Sequence, residues 1–376
     1  MKSSLYILFF LAYVSNIFSL EVPCESYSNF KPVTQPTPFL RGSITIPVDG
    51  SESVHPPKSM VTVDRRTNKN ALRLMQYNVE WLFIDYYAAS NCPGSGCSWA
   101  NQTAAETHVK YVSTVISTLN PDIINVCEVE GINELNAVIS STADASYKSY
   151  LIKGTDTSTG QNVGTVTRID PAVSLYRTDE RIAYPVPGSK CGYTGSSSTS
   201  GVSKHYITEY SINGMNIAMI GAHLLAFPTD VERCAEREAQ AQVLQNVIST
   251  YIGKKYEVIM LGDFNDFDGE VLDANNNKPT SLVLDILKGR DFTESTSKYT
   301  LYSAASKIAQ TSRFSDWYDK NNNCVSTPTE FSMIDHVLVT ENLMNKIDNV
   351  FIYQEYSEFC ETYNSDHYPV IVDFVF

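Results

Sequence analysis

Basic residues are scarce in this chain: 28 lysines and arginines stand against 42 aspartates and glutamates in 376 residues, a formal net charge of −14. A surface that negative opposes tight, nonspecific binding to a polyanion. Long apolar runs are scarce too. After the first twenty residues no segment approaches the ~20 apolar residues that cross a bilayer, and the terminal PVIVDFVF is too short for an attachment-signal tail. No CxxC pair and no Cys/His spacing argues for zinc, and there is no internal repeat. Neither a basic amphipathic helix nor a long apolar hairpin offers a membrane-docking surface. With 43% hydrophobic residues, the chain is neither fibrous nor disordered and can bury a large core.

Residues 1–20, MKSSLYILFFLAYVSNIFSL, place Lys2 ahead of an apolar run from Leu5 to Val14, then small and polar residues, the layout of a secretory signal peptide cleaved near Ser19 or Leu20. The expected product is a secreted protein without a membrane span, working as a monomer. Residues 21–70, rich in Pro, Ser and Thr, read as an irregular leader before a domain at 71–376. Eight cysteines form an even set, which outside the cytosol favours disulfides. Cys92 and Cys97 can close a small loop, and Cys127, in a very apolar run, reads as a buried thiol. Asn101-Gln-Thr is a glycosylation acceptor.

Within the domain the periodicity alternates. ALRLMQYNV reads as a strand and Thr103 to Leu119 as a helix ended by Asn120-Pro121; DIINVCE is a buried strand and Ile132 to Ile139 a short helix. YKSYLIKG, NVGTVTRI, AVSLYR and HYITEYSI read as short strands. Asn213-Gly214 marks a tight hairpin into MNIAMIGAHLL, because both turn positions need positive φ. A helix opened by Thr229 and Asp230 runs to about Lys254, EVIMLGDFN is another buried strand, and a helix around Leu282 to Lys288 precedes the strands FSMIDHVLVT, VFIYQEY and PVIVDFVF. The fold class is α/β (α+β): a four-layered sandwich of two packed mixed β-sheets flanked by helices.

Chemistry concentrates where buried strands stop. Asn78 ends LRLMQYN, Glu128 ends DIINVCE, and Asp263 and Asn265 end VIMLGDFN. Any one of them can simply bond the next turn. Several together at one sheet edge can converge on a hard cation and a phosphate.

The stations MQYNVEWL, PDIINVCEVEG, IGAHLLAFPTD, VIMLGDFND, SMIDHVLV and NSDHYPVIVDF resemble those of the endonuclease/exonuclease/phosphatase superfamily from Ala71 to Phe376. The resemblance implies a metal-dependent phosphodiesterase. Glu128 would be the main ligand of a divalent metal, Mg²⁺ fitting best, with Asn78 beside it and Asp366 a further ligand. His367 would be the general base, oriented by Asp335; Asp263 and Asn265 would position the nucleophile and a phosphate oxygen; His223 would stabilise developing charge or protonate the leaving oxygen. Glu80 is a further candidate at the metal and Asp170 a candidate acidic partner of His223, whereas His55, His108, His205 and His336 stay outside the site. The expected substrate is nucleic acid, DNA or RNA. A sphingomyelinase-like or inositol-phosphate-directed phosphoesterase is the alternative, followed by a non-catalytic binding protein. Specificity is expected on the loops Tyr86 to Asn101, Pro187 to Ser203 and Asp266 to Pro279.

Overall fold

The computed structural model describes residues 58–84, 102–290, 298–319, 321, 323, 325–356 and 364–376. The signal peptide, the leader as far as residue 57 with His55, the Cys92/Cys97 loop, the Asn101 acceptor and the first specificity loop lie outside the described residues.

In chain order the elements are β1 (Ala71–Leu82), α1 (Gln102–Leu119), β2 (Ile123–Val129), α2 (Ile132–Thr142), β3 (Lys148–Leu151), β4 (Asn162–Thr167), β5 (Ile182–Tyr184) and β6 (Ser198–Ser200). There follow β7 (Lys204–Ile212), β8 (Met215–His223), α3 (Val231–Gly253), β9 (Glu257–Asp263), α4 (Val283–Leu287), β10 (Tyr302–Ser303), β11 (Asp316–Trp317) and β12 (Phe331–Ser332). The chain closes with β13 (Asp335–Val339), α5 (Glu341–Met344), β14 (Ile347–Ile352) and β15 (Val370–Val375). One sheet runs β14-β15-β1-β2-β4-β3 and the other β10-β13-β9-β8-β7. In each, two neighbours joined through a helix are parallel, β1 with β2 and β8 with β9, while the remaining pairs are antiparallel.

The two sheets pack face to face, with α1 and α2 outside the first and α3 and α4 outside the second, giving the four layers. Strand alternation shows how. Ile259 and Leu261 of β9 join the core between the sheets, whereas Val258 and Met260 face α3. Gly221 on β8 lets the sheets approach: a Cβ there would stand 2.1 Å from Asn125 Oδ1 on β2. The Asn213-Gly214 hairpin forms as expected, both residues at positive φ (49° and 77°) between Ile212 and its partner Met215.

Two expectations shift. AVSLYR is no strand: Val173 and Tyr176 make isolated bridges to Ser59 and Ile207, because Asp170-Pro171 directs the chain out of the sheet. Residues 58–70 of the leader are irregular but anchored, with Arg66 buried and Asp64 bridged to Ile169. Among the described residues no helix is long and apolar enough to cross a membrane.

Candidate active site

The same alternation delivers the polar residues. Asp263 shares the parity of Ile259 and Leu261, Asp335 that of Val337 and Val339, and His223 that of Ile217 and Met219, so all three face the space between the sheets. The register aligns them in one row: Asp335 opposite Asp263, Asp263 beside His223, and His223 opposite Lys204. From the first sheet, β1 and β2 end at the same edge and bring Asn78 and Glu128. Glu128 has the wrong parity for the inner face. It arrives there through a bulge, where the register breaks between Cys127 and Val129 and its own φ is 65°. Glu80, Trp81 and Asn265 also stand at positive φ (48°, 48° and 49°), a backbone cost of order 1–3 kcal/mol each that gathers at this one edge.

His367 Nδ1 is 2.7 Å from Asp335 Oδ2, whose other oxygen accepts from Gln76 Nε2 at 2.9 Å, while Asp335 N donates to Ser315 Oγ at 3.0 Å. Behind Gln76, Asn125 Nδ2 donates to its Oε1 at 2.5 Å. The imidazole is thus fixed through a buried chain crossing both sheets, and its Nε2 faces Asp366 Oδ1 at 3.8 Å and Asp263 Oδ2 at 3.9 Å. Burial alone would lower the His367 pKa, but Asp335, Asp366 and Asp263 outweigh it and hold it well above the ordinary value. His223 behaves oppositely. Burial, then the charges of Lys204 and His367, hold it well below, so it is neutral; its Nε2 is 3.5 Å from Asp263 Oδ2 and its Nδ1 has no hydrogen-bond partner among the described residues.

Asn78 Nδ2 donates to both Glu128 Oε1 and Asp263 Oδ2 at 3.0 Å, and Trp81 N donates to Glu128 Oε2 at 3.1 Å. Asn78 Oδ1 accepts from Glu80 N at 3.0 Å, so the amide would have to turn over to offer oxygen to a metal. Donor atoms of Glu128, His223 and Asp263 lie within 4.8 Å of one another, and those of Asp316, Asp366 and His367 form a second such group. The expected ligands Glu128 and Asp366 therefore fall in different groups of one pocket. Burial, reinforced by Asp335 and Glu128 and opposed by His367, pushes the Asp263 carboxyl up to about 7. Carboxylates crowded in this way fit a hard divalent cation, whose charge would relieve both that cost and the raised His367.

Asn265 N donates to Asp263 Oδ1 at 2.9 Å and Asn265 Nδ2 to Leu224 O at 3.2 Å, tying the GDFN turn to the end of β8. The Glu80 carboxylate accepts from Asp366 N at 3.0 Å. Asp170 is not at the site. It accepts from Arg65 at 2.6 and 2.7 Å and from Tyr150 at 2.8 Å, because Arg168 and Pro171 carry it beyond the opposite end of β4. His336 turns to the outer face, stacked on Phe264, with Nε2 2.9 Å from Asp266 O. Cys127 is a buried free thiol, and Cys191 is joined to Cys234, fastening the second specificity loop to α3.

Sequence reasoning passed over Gln76, Asn125, Lys204 and Asp316. The first two were visible as polar residues inside buried apolar strands. Lys204 follows from the hairpin: counting back from Asn213-Gly214 sets it opposite His223. Asp316, bridged to His367, lies in loop-rich sequence that carries no periodic signal.

A buried His–Asp pair facing a cluster of carboxylates, on two packed sheets, is the arrangement of a phosphoester-hydrolysing enzyme that uses a divalent metal. The chain belongs to the Endonuclease/Exonuclease/phosphatase family, whose model matches residues 75–350. No curated protein matches it in sequence. Among solved structures it is similar to truncated TDP2 of Caenorhabditis elegans, at 16% identity and a TM-score of 0.48 over 81% of this chain and 98% of that one. It is similar also to a mannosyl-6-phosphatase of Bacteroides thetaiotaomicron, at 16% and 0.48 over 81% and 100%, and to the human Nocturnin catalytic domain with bound sulfate, at 18% and 0.46 over 84% and 97%.

Proposed function

We propose that the protein is a secreted nuclease that hydrolyses phosphodiester bonds of DNA or RNA by in-line attack of an activated water, with Mg²⁺ as its metal. The observation that carries this reading is the 2.7 Å His367–Asp335 pair aimed at Asp263, with Glu128 beside it. Once neutral, His367 Nε2 takes the proton of the attacking water, while Asp335 holds the Nδ1 proton and stabilises the imidazolium that forms. Asp263 orients that water, and Asn265 stands at a phosphate oxygen. Neutral His223 donates a hydrogen bond to charge developing on the phosphate or leaving oxygen, with the buried Lys204 ammonium opposite it adding positive field. Mg²⁺, held by Glu128 with Asn78 and Asp366 adjoining, would supply charge against the phosphate oxygens. The signal peptide at residues 1–20 directs export, and the protein acts as a monomer.

A second reading, hydrolysis of a small or lipid phosphoester, is favoured by the net charge of −14. Incubating the purified protein with plasmid, RNA, sphingomyelin vesicles and inositol phosphates, with Mg²⁺ or with chelator, separates the two. The nuclease reading expects cleavage of nucleic acid in Mg²⁺ alone and fails if neither DNA nor RNA is cut.

A further inference from the structure

The two most exposed aromatic side chains among the described residues are Phe227, at 68%, and Tyr318, at 60%. Each stands on a segment adjoining the active site. Phe227 is four residues beyond His223, in a loop whose first carbonyl, Leu224 O, accepts from Asn265. Tyr318 is two residues beyond Asp316, and its neighbour Trp317 donates from N to Asp366 O at 3.4 Å. The row Asp335–Asp263–His223 puts these segments on either side of Asp263: Phe227 follows β8, and Tyr318 belongs with Asp366 and His367, which is bonded to Asp335 of β13.

Phe227 is also held. Its φ is 69°, unfavourable for a residue with a Cβ, and one fully buried guanidinium fixes the loop. Arg237 of α3 donates to the carbonyls of Leu225, Ala226 and Phe227 through Nη1 at 3.0–3.2 Å and to Pro228 O through Nη2 at 3.0 Å. Its Nε reaches Asp266 Oδ2 at 3.2 Å, next to Asn265. A strained, clamped backbone that presents an apolar ring to water beside a phosphoester site has a natural use in contact with the substrate.

Charge selects the kind of contact. With 28 basic against 42 acidic residues, the chain has little with which to track the phosphates of a duplex, whereas stacking of bases on aromatic rings gains affinity without cations. We propose that Phe227 and Tyr318 are base-stacking platforms on either side of the scissile phosphate, so that the preferred substrate is single-stranded nucleic acid, whose bases are free to stack. This rests on the nuclease reading given above.

The test uses the full protein with Mg²⁺ on three labelled substrates: a single-stranded oligonucleotide, its duplex, and the same strand made abasic around the cut. The wild type should favour the base-bearing single strand. Phe227→Ala and Tyr318→Ala should each raise KM on that strand at least about fivefold, with no comparable rise on the abasic strand, and Phe227→Trp should restore the wild-type value. Equal rises on both strands, or no rise on either, would overturn the stacking proposal while leaving the nuclease reading intact. A wild type that cuts none of the three overturns that reading, and this proposal with it.

Discussion

At the end of the first sheet away from the active site, Asp170 accepts two hydrogen bonds from Arg65, Arg168 reaches Asp122 and Asp144, and Arg73 pairs with Asp373 at 2.7 Å. At the catalytic end, Glu128, Asp263, Asp316 and Asp335 have no Arg or Lys ion pair among the described residues. The electrostatic outcomes diverge accordingly. Burial works against ionising Asp170, yet Arg65 and Tyr150 outweigh it and hold the carboxyl below its ordinary value, whereas buried Asp263 is pushed up to about 7. Acids at one end complete the fold; acids at the other are held close together at a cost that a cation and a phosphoester reaction can use.

Breaking the catalytic end should show in activity. His367→Ala is expected to lower kcat/KM on any accepted phosphoester by about 10²–10⁴-fold, with Asp335→Asn in the same range. A variant within threefold of wild type would remove His367 from the proposed base role. Gln76→Leu sharpens the point, since it withdraws the donor to Asp335 without touching substrate. Its kcat should fall about tenfold with KM little changed, matching roughly 1–3 kcal/mol for an acceptor left short of its partner. An unaltered kcat would mean that the Asp335 carboxylate keeps its place without the Gln76 donor.

The far end should fail differently. Asp170→Asn is expected to lower unfolding free energy by about 1–3 kcal/mol while kcat stays within twofold, read from denaturant melts beside initial rates. A large loss of activity with stability intact would tie Asp170 to catalysis after all.

Two buried histidines outside the site give the most gradual effect. Burial lowers His205 to about 3 and His108 to about 4, with Thr178 N donating to His205 Nε2 at 3.0 Å. Below about pH 6.5 the unfolded chain binds these protons and the folded chain does not, so stability falls as pH drops through that window, by at most ~1.4 kcal/mol per pH unit for each. Urea midpoints between pH 7 and 4.5 should decline less steeply in His205→Gln; an identical slope would contradict the assignment.

Much of this was readable beforehand because it obeys local rules. Asp263 ends β9 where a two-residue period and a C-terminal polar group place it, and the Asn213-Gly214 turn fixed the β7–β8 register, whereas β1 and β2 run on past Asn78 and Glu128, and Glu128 comes inward through a bulge that the period does not foretell. What escaped depends on pairings between distant segments. Arg65 with Asp170 spans 105 residues, Gln76 with Asp335 spans 259, and the Cys191–Cys234 disulfide is one of many connectivities open to eight cysteines. AVSLYR has strand composition but lacks a continuous neighbour, so tertiary context overrode its propensity. The Arg237 clamp gave no sign either, because a helix arginine reads as solvated until the loop carbonyls it holds are in view.

The contrast between the two ends is tested most directly by thermal melts with and without saturating Mg²⁺. Wild type and Asp170→Asn should both gain stability on adding the ion, by about 2.7 kcal/mol at a hundredfold excess over Kd, and Glu128→Gln should lose most of that gain. A wild type that melts identically with and without Mg²⁺, or a Glu128→Gln variant with the full gain, would contradict the account of the catalytic end as a built cation site.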